Sequence, residues 1–310
     1  MSNQEYSVAK LLEVAATDVR LPLQQSECAA ILARPPFHSV PGTFNTRDIG
    51  RVPGSAVRPG FAFRSGSLEG VGESGAAVIA KQLGVKRIFD LRSGDEREKY
   101  PEPEIPGVGN DWISTPYDTK VDMTDFSSGG GEEGYCKMYM RIMEVYAPTF
   151  KTILEHVRDR PNEPFLFHCA RRSNLRRHFS LSLSLSLYGE ATANFGGTIP
   201  VGRDRTGIVA ALLLFLAGSD DDTLILDYMI TRIGSEPLRD VLLERAARDN
   251  AVANGLDDQN FYNLCSLRAS TWNLFMKQIE NQYGGFEGYV TERLRVSRDD
   301  LEVIRNNLRG

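Results

Sequence analysis

The stretch Phe165-Leu166-Phe167-His168-Cys169-Ala170 is an apolar run that ends in a histidine and a cysteine. After residues 171–200, the chain continues with Val201-Gly202-Arg203-Asp204-Arg205-Thr206-Gly207 and an apolar segment that reaches Ala217. The first run predicts a buried strand, and the apolar segment predicts a buried helix. When residues 171–200 are left out, the two stretches join as a cysteine, five residues, an arginine and a threonine.

A loop of this spacing between a strand and a helix predicts a binding site for a phosphate group. The backbone N–H groups of Ala170 and residues 201–205 turn inward, and the positive end of the helix beginning near Thr206 points to the same place. The planar guanidinium of Arg205 holds two phosphate oxygens. The same field favours the thiolate of Cys169 over the thiol, which makes Cys169 a nucleophile at neutral pH.

This loop resembles the His-Cys-x5-Arg-Ser/Thr signature of the protein-tyrosine-phosphatase superfamily. More narrowly, it resembles the His-Cys-x-x-Gly-Lys-Asp-Arg-Thr-Gly loop of the atypical tyrosine and phosphoinositide phosphatases. That subfamily also carries Asn-x-Arg-Asp-x-Gly, Arg-Ser and Asp-Leu-Arg-Ser segments. The chain has all three in the same order, at residues 45–50, 64–65 and 90–93, and residues 283–289 also look similar. The resemblance extends from about residue 37 to the end.

The resemblance implies an α/β fold, with a central mixed sheet flanked by helices and the phosphate loop between a strand and a helix. It also implies that the Cys169 thiolate attacks a phosphate monoester in line, and that water hydrolyses the resulting cysteinyl-phosphate. Arg205 and the loop amides would stabilise the transition-state charge, and Thr206 would hydrogen-bond the leaving thiolate. His168 is expected to orient the loop rather than to titrate.

Two aspartates are candidates for the general acid that protonates the leaving group. Asp204 lies inside the loop, where the subfamily also has an aspartate. Asp118 lies in the acidic and glycine-rich stretch 118–134, which predicts a loop or lid, and Asp122 ranks behind both. Arg203 stands where the subfamily usually has lysine, so the positive charge is retained but a planar fork replaces a point charge.

Four charged residues in the resembling segments are expected to support the loop. Either they act near the substrate, or they form a structural ion-pair set beneath the loop, and the sequence leaves both interpretations open. These residues are Asp48, Arg64, Asp90 and Arg92.

The composition excludes several classes of protein. The chain is 41% hydrophobic and 25% charged with a formal net charge of −5, which argues against wholesale nucleic-acid binding. The longest apolar run, 208–217, is about half of the roughly 20 residues that a membrane-spanning helix needs. The four cysteines lack metal-ligand spacing, so we expect no metal, no cofactor and a reducing, cytoplasmic location.

We expect one domain over residues 37–310, preceded by a peripheral N-terminal arm of residues 1–36. Apolar residues with helical spacing in the arm are interrupted at Pro22 and end at Pro35-Pro36. The periodicity elsewhere predicts the main elements of the domain. Strands are expected at 85–91 and 165–168, and helices at 73–83, 135–158 with a kink at Pro148, 206–217, 224–233, 238–250, 267–283 and 298–308.

Residues 171–200 interrupt the phosphate loop and place Cys169 and Arg205 36 positions apart. Ordering each additional residue costs about 1–2 kcal/mol of backbone entropy, so a loop that aims its amides at one phosphate is not expected to contain them. The segment holds four consecutive Ser-Leu pairs at 180–187, as a CT-dinucleotide tract of an intron encodes. A retained intron in the gene model is our hypothesis, and a genuine low-complexity insertion is the alternative.

The sequence therefore predicts a cysteine-dependent phosphomonoesterase for a phosphotyrosine protein or a phosphoinositide, disabled as translated by the 171–200 insert. Two alternatives stay open: a catalytically inactive, phospho-binding pseudophosphatase and a rhodanese-like sulfur transferase. The Arg205-Thr206-Gly207 end of the loop argues against the sulfur transferase. No nucleic-acid partner and no integral membrane segment are expected, and the sequence does not determine the oligomeric state.

Overall fold

A computed structural model describes residues 6–115, 121–172, 179–182, 192–195, 198–199 and 201–310 of the chain. Within these ranges, no helix combines the length and the apolar character that a membrane crossing requires.

A five-stranded mixed sheet forms the centre of the fold, as predicted. The strands follow the order β1-β2-β5-β3-β4, in which β1 is antiparallel to β2 and the other neighbours are parallel. Ser65, Asp90 and His168 occupy the same level of the sheet, so Cys169 emerges at the carboxyl edge of the parallel strands. The strands are β1 (Arg47–Asp48), β2 (Ala62–Ser65), β3 (Arg87–Asp90), β4 (Gly109–Trp112) and β5 (Phe165–His168).

Helices of very different length flank this sheet. They are α1 (Val8–Ala15), α2 (Gln25–Leu32), α3 (Glu73–Ala77), α4 (Gly94–Lys99), α5 (Glu132–Val145), α6 (Ala147–Asp159), α7 (Asp204–Ala217), α8 (Asp221–Met229), α9 (Thr231–Ser235), α10 (Arg239–Asp249), α11 (Gln259–Cys265), α12 (Ala269–Tyr283), α13 (Gly285–Gly288) and α14 (Arg298–Arg309).

Helix α7 lies in the middle of the core and confirms the helix predicted for 206–217. Almost every side chain from Arg205 to Ala217 is buried, which is expected for a helix that is apolar on all sides. The helix ends at Gly218, whose φ of +99° is the left-handed conformation that glycine adopts without strain. Its first turn faces the carboxyl edge of β5, as the phosphate-loop hypothesis requires.

The single kinked helix predicted for 135–158 is wrong. The structure has two helices, α5 and α6, which meet at Tyr146. Pro148 is the second residue of α6, where the missing N–H costs nothing because that position has no intrahelical acceptor. The proline therefore begins a new helix instead of bending an old one.

The N-terminal residues are packed against the rest of the molecule. Helices α1 and α2 contact α8 and α9, and their apolar side chains join the main core. Leu11, Val14 and Ile31 are at most 5% exposed. The segment predicted as a peripheral arm thus contributes to the hydrophobic core.

The segment that interrupts the phosphate loop begins and ends as a two-stranded ladder. Strand β6 (Arg171–Arg172) pairs in antiparallel register with β9 (Thr198–Ile199), and β7 (Phe179–Ser182) pairs with β8 (Thr192–Phe195). Because residue 171 lies opposite residue 199, the chain leaves and re-enters the phosphate loop at neighbouring points.

Candidate active site

Cys169 and Thr206 contact each other although 37 positions separate them. The Thr206 hydroxyl donates to Cys169 Sγ over 3.0 Å. Cys169 directly follows β5, and Thr206 belongs to the first turn of α7. Both residues are buried, at 4% and 0% exposure. A hydroxyl in this position stabilises negative charge on the sulfur.

Arg205 lies next to this pair and is held by several acceptors. Its Nη1 and Nη2 donate to the two oxygens of Glu96 over 2.6 and 3.0 Å, and Nη1 also donates to the Leu91 carbonyl over 2.9 Å. Burial opposes the charge, but Glu96 outweighs it and raises the pKa of Arg205 well above its usual value. Arg205 Nη2 also donates to the Ala170 carbonyl.

Glu96 owes its position to the start of α4. Ser93 caps this helix, and its backbone N–H donates to Glu96 Oε2 over 2.7 Å in a reciprocal capping box. Glu96 is fully buried. Sequence analysis assigned no role to Glu96, although the spacing of a serine and a glutamate three residues later is a recognisable signal for such a helix start.

The second half of the loop is held against β2. Gly202 has a φ of +60°, and a Cβ built there would lie 2.1 Å from the Ser65 carbonyl oxygen, so glycine is required. Arg64 Nη2 donates to the Gly202 carbonyl over 2.7 Å, and Asn45 Nδ2 donates to the Val201 carbonyl over 2.7 Å. These contacts position Arg64 as a support of the loop backbone.

Arg64 belongs to a buried cluster that includes two arginines and one aspartate. Asp227 of α8 accepts from Arg64 and, over 2.8 Å, from Arg47 Nε. Burial of Asp227 favours its neutral form, but the two guanidiniums dominate and hold its pKa below the usual value. Sequence analysis missed Asp227, because a lone aspartate in a helix carries no local signal.

The first half of the loop lies beside a second buried cluster. Arg92 donates from Nε and Nη2 to the two oxygens of Asp90 over 2.9 and 2.8 Å and also pairs with Glu102. His168 Nε2 lies 2.9 Å from Glu102 Oε1. Burial raises the pKa of Asp90, but His168 and Arg92 outweigh it, so the pKa lies below the usual value.

The oxygens and the ring nitrogen of Asp90, Glu102 and His168 are close enough to share a metal ion. The Arg92 guanidinium, however, already binds both carboxylates and supplies the positive charge that an ion would bring. This arrangement favours a structural ion-pair set for Asp90 and Arg92.

Asp48 contacts a different part of the protein. Its carboxylate accepts from the backbone N–H groups of Gly50 and Gly60 over 2.9 and 2.7 Å, and it lies 3.3 Å from Arg51. The four charged residues singled out in the sequence are thus divided among three sites. Arg64 supports residue 202, Asp90 and Arg92 lie beside His168, and Asp48 holds the turn after β1.

Asp204, the first candidate for the general acid, lies at the start of α7. Its Oδ1 accepts from Arg203 Nε over 2.9 Å and from the Tyr139 hydroxyl over 3.0 Å, and Tyr139 is also 3.0 Å from the Tyr228 hydroxyl. Burial raises the pKa of Tyr228 to about 12, so its hydroxyl stays protonated at neutral pH. Sequence analysis missed both tyrosines, whose aromatic rings look like ordinary core residues.

The other two candidates for the general acid are Asp118 and Asp122. Asp118 lies outside the described residues. Asp122 is described: its carboxylate caps the short helix Met123–Phe126 by accepting from the Thr124 N–H and hydroxyl, which lower its pKa below the usual value. Asp122 therefore has a structural role at a helix start.

The phosphate loop lines a pocket of about 1050 Å³, counted with the space open to solvent. Cys169, Ala170 and residues 201–205 form one part of its lining. The remaining lining is mostly apolar, with two further arginines, one serine and one cysteine. These residues are Val19, Val121, Met138, Ile142, Arg232, Ser235, Arg239, Leu242, Leu243, Ala246, Leu264, Cys265 and Leu267.

A comparison with protein families matches residues 38–171 and 200–310 to the model described as "Tyrosine phosphatase family". The chain belongs to this family. The match covers both halves of the phosphate loop and leaves out residues 172–199. The chain is accordingly a phosphoric monoester hydrolase of the protein-tyrosine-phosphatase type, as its sequence predicts.

Similar proteins agree with this family assignment. A tyrosine-protein phosphatase of Nostoc commune is 26% identical over 232 residues, which are 73% of this chain and 67% of the relative. The triple specificity protein phosphatase PtpB of Mycobacterium tuberculosis is 23% identical over 287 residues, which are 87% and 98% of the two chains. A solved structure of the PP-IP phosphatase SIW14 from S. cerevisiae, 12% identical and covering 63% of this chain and 90% of its own, has a TM-score of 0.29, too low to carry an argument.

Proposed function

We propose that this tyrosine phosphatase hydrolyses phosphate monoesters through a cysteinyl-phosphate on Cys169. The observation that carries the proposal is the 3.0 Å hydrogen bond from the Thr206 hydroxyl to Cys169 Sγ at the start of α7. The bond stabilises the thiolate as nucleophile and again as leaving group. Arg205, held by Glu96 beside it, supplies the positive charge for the phosphoryl oxygens.

The reaction has two steps. The Cys169 thiolate attacks phosphorus in line while the bond from phosphorus to the ester oxygen breaks, and a general acid gives that oxygen its proton. Water then attacks the cysteinyl-phosphate and gives a proton back to the deprotonated acid while the bond from phosphorus to sulfur breaks, which releases inorganic phosphate and restores the thiolate. The backbone N–H groups of Ala170 and residues 201–205, with Arg205, balance the charge that develops on the phosphoryl oxygens in both steps. We assign His168 and Arg64 to positioning the loop.

Asp204 and Asp118 both remain candidates for the general acid. Asp204 lines the pocket together with Cys169, which supports its role. Its Oδ1, however, already accepts hydrogen bonds from Tyr139 and Arg203 instead of facing a leaving group, which argues for Asp118. Asp204→Asn and Asp118→Asn variants decide between them with alkyl and aryl esters. The acid is the residue whose loss slows poor leaving groups by about a hundredfold or more and hardly affects activated aryl esters. Equal slowing of both ester classes excludes that residue.

The pocket supports phosphotyrosine as the substrate class. Beyond the phosphate loop, most of its lining residues are apolar, such as Met138, Ile142 and Leu267. An aromatic ring buries well against apolar side chains, whereas a hydroxylated inositol ring does not. Arg203 does not support a lipid headgroup, because its guanidinium binds Asp204 and the Leu264 carbonyl. We therefore propose phosphotyrosine proteins as substrates and treat phosphoinositides as the alternative outcome of the test.

We propose further that residues 171–200 lower the activity of the chain as translated. The contact between Arg205 Nη2 and the Ala170 carbonyl supports this, because it occupies a guanidinium N–H at the residue before the interruption. A retained intron remains our hypothesis for its origin. Sequencing the transcript across codons 165–207 tests it: a transcript that retains all these codons contradicts the hypothesis and establishes a genuine insertion.

The experiment for the main proposal compares Cys169→Ser with Cys136→Ser, a cysteine on α5. Hydrolysis of p-nitrophenyl phosphate, a phosphotyrosine peptide and a phosphoinositide is measured for the full chain and for a form without residues 171–200, with and without vanadate. We expect vanadate-sensitive turnover, best on the phosphotyrosine peptide, that is lost in Cys169→Ser and kept in Cys136→Ser. Turnover that survives Cys169→Ser, or a form without the insert that is inactive while folded, overturns the proposal.

A further inference from the structure

Residues 6–36 precede the region that the family model matches, yet they reach the pocket that contains Cys169. Between α1 and α2 the chain makes a turn at residues 18–21, which we call the N-terminal turn. The Leu21 N–H donates to the Asp18 carbonyl over 2.9 Å, and the Arg20 N–H donates to Asp18 Oδ1 over 2.8 Å. Asp18 therefore stabilises the turn through both its backbone and its side chain.

Side chains of α9 and α10 bind the backbone of the N-terminal turn from one side. Arg239 Nε and Nη2 donate to the Val19 carbonyl over 2.9 and 2.6 Å, and Arg232 Nη2 donates to the Leu21 carbonyl over 3.0 Å. The pKa of Arg232 is lowered to about 10, first by burial and then by the neighbouring Arg239. Carbonyl oxygens that accept hydrogen bonds stabilise two neighbouring positive charges, and the backbone of the turn provides such oxygens.

Helix α11 binds the N-terminal turn from the other side. The Tyr262 hydroxyl donates to Asp18 Oδ2 over 3.0 Å, and the Arg20 guanidinium lies 4.4 Å from the centre of the Tyr262 ring. Both α10 and the end of α11 contribute to the pocket lining, through residues such as Leu242 and Leu264. The turn therefore bridges two elements that line the pocket.

Two apolar side chains of the turn have opposite environments. Val19 is 7% exposed and lines the pocket, whereas Leu21 is 58% exposed. We propose that the N-terminal turn holds Val19 as a specificity-determining wall of the catalytic pocket, where the Val19 side chain limits the size of the apolar or aromatic group that enters together with the phosphate. The nature of that group rests on the proposed function. The wall itself rests only on the contacts of residues 18–21.

The first experiment needs no turnover and uses the full chain. Val19→Trp, Val19→Ala, Leu21→Trp and Leu21→Ala are alkylated with iodoacetamide and with the bulkier N-(1-pyrenyl)maleimide, and mass spectrometry follows the peptide that contains Cys169. Removing or adding methyl-sized groups in an apolar pocket changes discrimination by about tenfold or more. We expect the rate ratio of bulky to small reagent to fall about tenfold in Val19→Trp and to rise in Val19→Ala, with both Leu21 variants like the parent.

The second experiment measures kcat and KM of the same variants with phenyl phosphate and 4-biphenylyl phosphate. Val19→Trp should raise KM for the biphenylyl ester about tenfold and leave phenyl phosphate nearly unchanged. If Val19 and Leu21 variants behave alike in both experiments, the wall is overturned. If only the Val19 variants alter alkylation but Cys169→Ser keeps full turnover, the wall is supported and the proposed function is wrong. Circular dichroism checks folding, and Val19→Ala carries the test should Val19→Trp fail to fold.

Discussion

The two ends of the phosphate loop, residues 168–170 and residues 201–202, are supported by different parts of the molecule. The first end continues β5 and lies beside the Asp90–Arg92 ion pair. At the second end, the loop carbonyls receive hydrogen bonds from Asn45 and Arg64. Each end therefore has its own anchors. The shape of the loop therefore depends on these anchors and not only on a short connection between its ends.

The largest expected effect comes from removing the charge that anchors the second end. Asp227→Ala leaves Arg47 and Arg64 without their shared carboxylate in a buried site, and breaking a buried pair in this way costs about 3–5 kcal/mol. Urea denaturation of the variant should show this loss of unfolding free energy. Asp222→Ala, an exposed acid on the same helix, serves as control and should lose far less. Equal stability of the two variants contradicts the anchoring role.

The same carboxylates make a prediction about acid unfolding. The folded-state pKa values of Asp90 and Asp227 lie below the usual value of 3.8, so each contributes stability that is complete above that value and is lost as the pH falls through the folded pKa. We expect the unfolding free energy of the parent to fall below about pH 4, and Asp227→Asn to show a shallower fall. Parallel pH profiles would show that Asp227 is not the group involved.

A smaller effect distinguishes Arg205 from its neighbour Arg203. Arg205→Lys loses the planar fork that pairs with Glu96 and faces the loop, and losing one preorganised donor to a developing negative charge costs about 10²–10³ in kcat. Arg203→Lys retains the charge and restores the residue usual in the subfamily, so its kcat should fall much less. The measurement is kcat for p-nitrophenyl phosphate. A larger loss in Arg203→Lys would reverse our assignment.

A comparison of the full chain with a form that lacks residues 171–200 tests whether the two anchored ends give full activity without a direct connection between them. Misplacing a catalytic group by about 1 Å costs roughly a hundredfold in rate, so the shortened form should be about a hundred times faster than the full chain. Both forms should fold, because the apolar burial of β5 and α7 lies outside the segment. Circular dichroism and phosphatase rates, measured side by side, provide the check. Equal rates would mark residues 171–200 as a tolerated insertion.

The smallest expected effect concerns the tyrosine beneath the loop. Tyr139→Phe removes one donor from Asp204, and a single hydrogen bond of this kind contributes at most about 3 kcal/mol. If Asp204 is the acid, kcat for poor leaving groups changes and its pH profile shifts, while activated aryl esters are little affected. Tyr228→Phe acts through Tyr139 and should change less. A larger change in kcat for Tyr228→Phe than for Tyr139→Phe would contradict the chain of hydroxyls from Tyr228 to Asp204.

Local patterns were sufficient to predict the elements that carry the site. The strand Phe165–His168 and the helix that follows Arg203 were recognisable because continuous apolar runs are typical of buried elements. The break between α5 and α6 was missed, since a proline in an apolar periodicity allows either a kink or a new helix start. Tyr146, the residue between the two helices, accepts from Arg205 Nη1 over 3.1 Å, a tertiary contact that local sequence does not reveal.

Local sequence specifies which chemical groups are present and their order: a cysteine after an apolar strand, then an arginine and a threonine at the start of an apolar helix. Only the tertiary structure decided which distant groups serve them. Glu96 meets Arg205 across 109 positions, and Asp227 meets Arg47 across 180. Arg239 binds the Val19 carbonyl across 220 positions. The physical reason is that hydrophobic patterning specifies which faces are buried, whereas the partner of a buried charge is set by how those faces pack together.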